Sequence, residues 1–324
     1  MSFDWLWSLL ILPAVALIVW GAETFAHHIG KVSLGLGLSS FALALLLAGA
    51  EPEELATAIA ATWREVPAIA LGDAIGANIA ICLVALGVGA IFTPLPFSKK
   101  VWLYGLLGLP VSTIGVLAIW DGLVTRLEGV LLVLLYVLYV GLIWWQEKEP
   151  PALGEIEEFL EAEAEIQEQK GQLAVGKELL YVFWGLVGMT IGSILLVEGV
   201  RRIAPVEATQ TLVSLSLVGF ATAFELVVLC WSAARKGATD VVIAGVVGSF
   251  AYNMTMTVGL AALLRPLQIE EGTLLHRPSI IMLAALGLAL LLAVRTGKID
   301  RGGGFILLAS YPLFLASLFL PRLS

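Results

Sequence analysis

Apolar residues in this chain neither alternate with polar ones nor keep to one helical stripe. They run nearly unbroken for about 20 residues at a time, and polar or Pro/Gly-rich stretches punctuate the runs. A helical run of that length matches a bilayer hydrocarbon core about 30 Å thick. The pattern predicts ten membrane-spanning helices, at roughly 6–28, 33–62, 66–92, 101–120, 127–146, 178–203, 208–234, 238–264, 278–295 and 304–320. Ten spans leave no room for a sizeable soluble domain, so the expected fold is an all-α integral membrane protein. A polar stretch divides the spans five and five. The expected organisation is a first five-helix repeat over 1–146, an acidic linker over 147–177 and a second repeat over 178–324. Ile156, Phe159, Leu160 and Ile166 give the linker one weak apolar stripe, which predicts a short surface helix.

Composition agrees: 59% of residues are hydrophobic and 14% charged, against about a quarter charged in soluble domains. Nine of the 26 acids fall between Glu147 and Glu168, so the linker dominates the net charge of -8. The absence of a basic stripe excludes nucleic acid as a partner. The expected partners are inorganic cations and the lipid bilayer, with no protein partner. Cys82 and Cys230 lie inside apolar runs and read as small hydrophobes. No basic n-region or cleavage site precedes the first span, which reads as retained. With the N-terminus outside, eleven of the 18 Lys and Arg fall on inside loops. That bias predicts a chain in the cell (inner) membrane with both termini outside and the linker cytoplasmic. Trp5, Trp7, Trp120, Trp144 and Trp145 sit near span ends, as interfacial anchors do.

The halves also repeat in sequence. Gly49-Ala50-Glu51-Pro52-Glu53-Glu54-Leu55 precedes Gly72-Asp73-Ala74-Ile75-Gly76-Ala77, then Gly87 and Pro94. Phe220-Ala221-Thr222-Ala223-Phe224-Glu225-Leu226 precedes Ala244-Gly245-Val246-Val247-Gly248-Ser249, then Gly259 and Pro266. Glu54 and Glu225 are 171 residues apart; Gly76/Gly248, Gly87/Gly259 and Pro94/Pro266 are each 172 apart. Five spans per half is an odd number, so the second copy enters the membrane from the opposite side. Inverted repeats of this kind are built by secondary transporters around a midplane site.

A carboxylate within the hydrocarbon is costly unless paired, hydrated or protonated, and so marks function. Glu54 and Glu225 fall mid-span at equivalent positions and are expected to face each other. Their two charges would be neutralised by one divalent cation. Pro52 predicts a helix break near 49–51; the second copy has only Ala221-Thr222-Ala223 there, with the Thr222 hydroxyl. A break frees carbonyls, and Ca²⁺ takes six to eight oxygens. Asp73 adds a charge nearby. Asn78, Ser249 and Asn253 add polar atoms, with interhelical hydrogen bonding as the alternative reading. Glu51 shares a face with Glu54 while Glu53 is expected to point elsewhere. Carboxylates so crowded cannot all stay ionised, which makes a proton one of the expected ions. Glu23, Glu198, His27 and His28 lie towards span ends and read as interfacial.

With these motifs the chain resembles the calcium/cation antiporter superfamily, the sodium/calcium exchanger-like proteins. Each of that family's two inverted five-helix halves carries a Gly-Thr-Ser-Leu-Pro-Glu motif and then Gly-Asn-x-x-Gly-Ser. The resemblance implies broken helices 2/3 and 7/8 around the midplane site, with Glu54 and Glu225 carrying the cation. It also implies that the carbonyls of Ala50 and Ala221 assist, and that Thr222 and Ser249 stand at side-chain ligand positions. Asn253 stands where the second copy has an acid or amide. Ala50 and Glu51 replace the family's Thr and Ser, Ala77 its Ser, and Ile81 a polar residue. Several oxygens used for Na⁺ are therefore lost, which fits altered ion choice. The expected function is antiport of a divalent cation, Ca²⁺, against Na⁺ or H⁺, with the ions as cargo and no resident cofactor. The alternatives are a degenerate, non-transporting member and a membrane-embedded enzyme. The latter is disfavoured, because His27, His28 and His276 form no metal-binding or nucleophile–base pattern.

Overall fold

A computed structural model describes residues 4–36, 51–148, 175–236 and 239–319. The linker stripe Ile156–Ile166 and the expected ligand Ala50 lie outside the described residues. The helices in chain order are α1 (Asp4–Gly35), α2 (Pro52–Trp63), α3 (Pro67–Phe92), α4 (Lys99–Ala118) and α5 (Arg126–Glu147). After the linker come α6 (Val175–Ile203), α7 (Glu207 to Thr222, then Phe224–Lys236), α8 (Thr239 to Leu264), α9 (Thr273–Val294) and α10 (Arg301–Leu318). Nine stretches among the described residues are long and apolar enough to cross a membrane. Of the predicted span 33–62, residues 37–50 lie outside the described residues; α1 runs on to Gly35, and α2 covers Pro52–Trp63.

Local chemistry sets the helix ends. Pro52 and Pro67 occupy first-turn positions of α2 and α3, where a missing N–H costs no hydrogen bond. Thr125 and Glu128 form a capping box on α5, and Asp300 accepts from the Gly303 amide at the start of α10. Glu51, just before α2, is non-helical (φ -118°, ψ 81°), and α7 stops at a turn on Ala223. In α3 and α8 the chain stays helical through π segments, Ile81–Ala85 and Asn253–Thr257. A π turn keeps the backbone bonded internally, as an apolar surrounding requires.

The repeat is visible in the packing. Strand β1 (Leu95–Pro96) pairs antiparallel with β4 (Lys298–Ile299), and β2 (Leu123–Val124) with β3 (Leu267–Gln268). Each pairing joins one half to the other, and the two are repeat-equivalent. Helices α4 and α5 pack on α8, while α9 and α10 pack on α3. Each central helix is thus sheathed by the opposite half, and 83% of the most apolar window of α3 and of α8 is buried, against 22–44% elsewhere. Small residues permit the closest approaches. A Cβ on Gly76 would lie 2.5 Å from the Leu215 carbonyl oxygen of α7, and one on Gly185 of α6 would lie 2.8 Å from that of Gly21 of α1.

Candidate functional site

The start of α2 brings three acids together. One carboxylate oxygen from each of Glu51, Glu53 and Glu54 lies within 4.8 Å of the others, and all three residues are buried. Sequence spacing had Glu53 pointing away from Glu51. The structure corrects this, because Glu51 precedes a proline and stands outside the helix with a non-helical backbone, where helical-face geometry does not apply. Asp73, one helix away on α3, is also buried. Among the described residues, the only other buried charged side chain is Lys31.

Two reciprocal bonds tie the start of α2 and the interruption of α7 to the opposite half. Ser249 of α8 donates to Glu51 at the start of α2. Thr222, at the end of the first part of α7, donates to Asp73 of α3 at 2.9 Å. Deeper in, Asn253 Nδ2 donates to Asn78 Oδ1 at 3.2 Å, and Asn78 Nδ2 donates to the Phe250 carbonyl at 2.9 Å. One bond thus joins the two amides, and Asn253 Oδ1 accepts no hydrogen bond among the described residues.

Neither oxygen of Glu54 accepts a hydrogen bond from an N–H or O–H donor of the described residues, and neither does Asp73 Oδ2. Thr57 Oγ1 is in the same position, one turn on from Glu54 and on the same face. Buried acceptors left without donors are uncommon and call for a positive partner. A hard cation suits a set made of carboxylate and hydroxyl oxygens. The spacing from Glu54 is the sequence signal that could have found Thr57.

The remaining expected residues fall as follows. Glu225 is the second residue of the later part of α7; it is half-buried and is not one of the three clustered acids. Ala221 lies in the last turn before the α7 interruption. Glu198 holds Arg202 at 2.8 Å at one end of α6, and His28 of α1 meets Glu178 of α6 at 2.5 Å at the other.

Comparison with known proteins places this architecture. The model of the family described as sodium/calcium exchanger protein matches residues 6–145 and 177–320. The chain is 26% identical to the putative antiporter CaxA of Alkalimonas amylolytica, over 94% of this chain and 96% of that protein. It is 25% identical to the sodium/calcium exchanger MaX1 of Methanosarcina acetivorans, over 96% and 98%. It is also 26% identical to the inner membrane protein YrbG of Escherichia coli, over 96% of each. The solved structure of the sodium-calcium exchanger NCX_Mj superposes with a TM-score of 0.62 over 98% of this chain and all of that one. At 24% identity that last likeness is one of fold.

Proposed function

The chain belongs to the sodium/calcium exchanger protein family, of membrane cation antiporters rather than enzymes, and from that premise we propose that it exchanges a divalent cation, Ca²⁺, for Na⁺ or H⁺. The observation that carries this reading is the buried group of Glu51, Glu53 and Glu54, with Glu54 accepting no hydrogen bond from an N–H or O–H donor of the described residues. In the proposed site Glu54 is the principal ligand of the first half and Glu225 that of the second. Asp73, Glu51, Thr222, Ser249, Asn253 and the carbonyls of Ala50 and Ala221 complete the candidate oxygen set. Four acids exceed the charge of one divalent ion, and this surplus favours H⁺ over Na⁺ as counter-ion. Alternating access would move one group of helices against another, with 1–146 and 178–324 as the two repeats. The proposed setting is the inner membrane, with the N-terminus outside and 147–177 in the cytoplasm.

The test is Ca²⁺ uptake into proteoliposomes under a Na⁺ or a pH gradient. Glu54→Gln and Glu225→Gln should each abolish uptake, and one of the two gradients should drive it. Undiminished uptake in both variants would sink the assignment. An inert wild-type protein that also binds no Ca²⁺ by calorimetry would mark a non-transporting member instead.

A further inference from the structure

A groove of about 1070 Å³ runs between α2 and α6, with Phe25 of α1 also in its lining. It opens to the outside of the bundle, since Trp63 and Leu186 in its walls are exposed. Helix α2 serves two faces. Leu55, Ala56, Ile59 and Trp63 recur at helical spacing along the groove, while Glu53, Glu54, Thr57 and Thr62 face the buried side. The opposite wall is also apolar, with Leu186, Met189 and Ile194 of α6. From Leu186 to Arg201, α6 rises roughly 22 Å at 1.5 Å per residue. That length exceeds one leaflet's hydrocarbon of about 15 Å, half the bilayer core.

The groove is charged at one end only, by Arg64, Glu65 and Arg201. Glu65 is ion-paired with Arg265. Glu198, close by, is held by Arg202 at 2.8 Å, whereas Arg64 and Arg201 reach it only at 3.9 and 4.0 Å. Three guanidiniums thus share one carboxylate, and this end carries an excess of positive charge. Guanidinium forks suit phosphate oxygens. Exposed Trp63 beside Arg64, and Trp7 beneath the Arg202 guanidinium, are the aromatic neighbours expected at headgroup level. An arginine mouth over apolar walls is hostile to a hydrated cation, so the groove does not read as an ion path.

We propose that this groove binds an anionic phospholipid, with one acyl chain along Leu55, Ile59, Leu186 and Met189 and the phosphate on Arg64 and Arg201. The bound chain presses on the back of the helix whose other face carries Glu53 and Glu54. Lipid occupancy therefore supports the position of those acids.

The test is native mass spectrometry of the detergent-purified full chain with phosphatidylglycerol, with phosphatidylcholine of the same acyl chains, and with glycerol 3-phosphate. Phosphatidylglycerol should be held about tenfold more tightly than phosphatidylcholine, as two basic groups at a headgroup allow. Arg64→Gln with Arg201→Gln should erase that preference, and the double Lys substitution should keep it. Ile59→Trp, which fills the groove and leaves the arginines alone, should lower retention of both lipids. Equal retention of the two lipids by the unaltered protein would overturn the proposal. So would a preference that survives the double Gln substitution, or glycerol 3-phosphate binding as tightly as the lipid.

Discussion

Glu54 concentrates the chemistry of the site: it is fully buried, and two further carboxylates stand within the same 4.8 Å. Like charges this close, out of water, require protons or a metal ion between them. The sign of the pH dependence follows. Acid fills ligand oxygens with protons, so the Ca²⁺ concentration for half-maximal uptake should rise as pH falls, by up to about tenfold per unit for each proton displaced. Uptake assays between about pH 6 and 8.5 measure this, and a flat response over that range would remove protons from the competition for the same oxygens. Thr222 donates to Asp73 Oδ1, whose partner Oδ2 accepts no hydrogen bond among the described residues. Thr222→Val should therefore cost about 1–3 kcal/mol in thermal unfolding, the penalty of a buried acceptor losing its partner, while Thr222→Ser should cost much less. The acidic residues themselves were plain in the sequence. Convergence of Glu53 with Glu51 was not, because it depends on Glu51 lying outside the helix.

The start of α2 and the interruption of α7 show how unevenly elements advertise themselves. Pro52 announces the first. The second falls at Ala223, the residue that corresponds to Pro52 in the repeat, where no local residue demands it. There the Thr222 hydroxyl lies 3.2 Å from the Val218 carbonyl and 3.5 Å from that of Gly219 while also bonding Asp73. Back-bonding of this kind bends helices, and here a partner from the other half holds the bend. The matched π segments of α3 and α8 were likewise invisible in hydropathy, since they change the hydrogen-bond step and not the polarity. Close packing around them is testable. Gly76→Ala would push a methyl group against the Leu215 carbonyl and should lower stability by about 1–3 kcal/mol. Gly287→Ala, where a Cβ meets nothing within 4 Å, should be neutral or mildly stabilising in the same melt.

At the scale of the whole molecule, each half completes the other. The strand pairings cross between halves, each central helix is covered by the opposite half's outer helices, and both site-anchoring bonds, Ser249 to Glu51 and Thr222 to Asp73, do the same. Disrupting one cross-half contact should thus loosen both halves together: Ser249→Ala should lower Ca²⁺ affinity and thermal stability in parallel, read by calorimetry and unfolding of the same sample. The sequence by itself determined the membrane class, the approximate limits of most spans, the repeat and the acidic residues available to a site. Those features are written in hydropathy, spacing and residue type, which act along the chain. Only the tertiary structure decided which acids converge, where α7 stops and which face of α2 turns away from the site towards an arginine-ended groove. The last two depend on contacts between residues more than 100 positions apart, and the first turns on Glu51 standing outside the helix ahead of Pro52; hydropathy and spacing encode none of them.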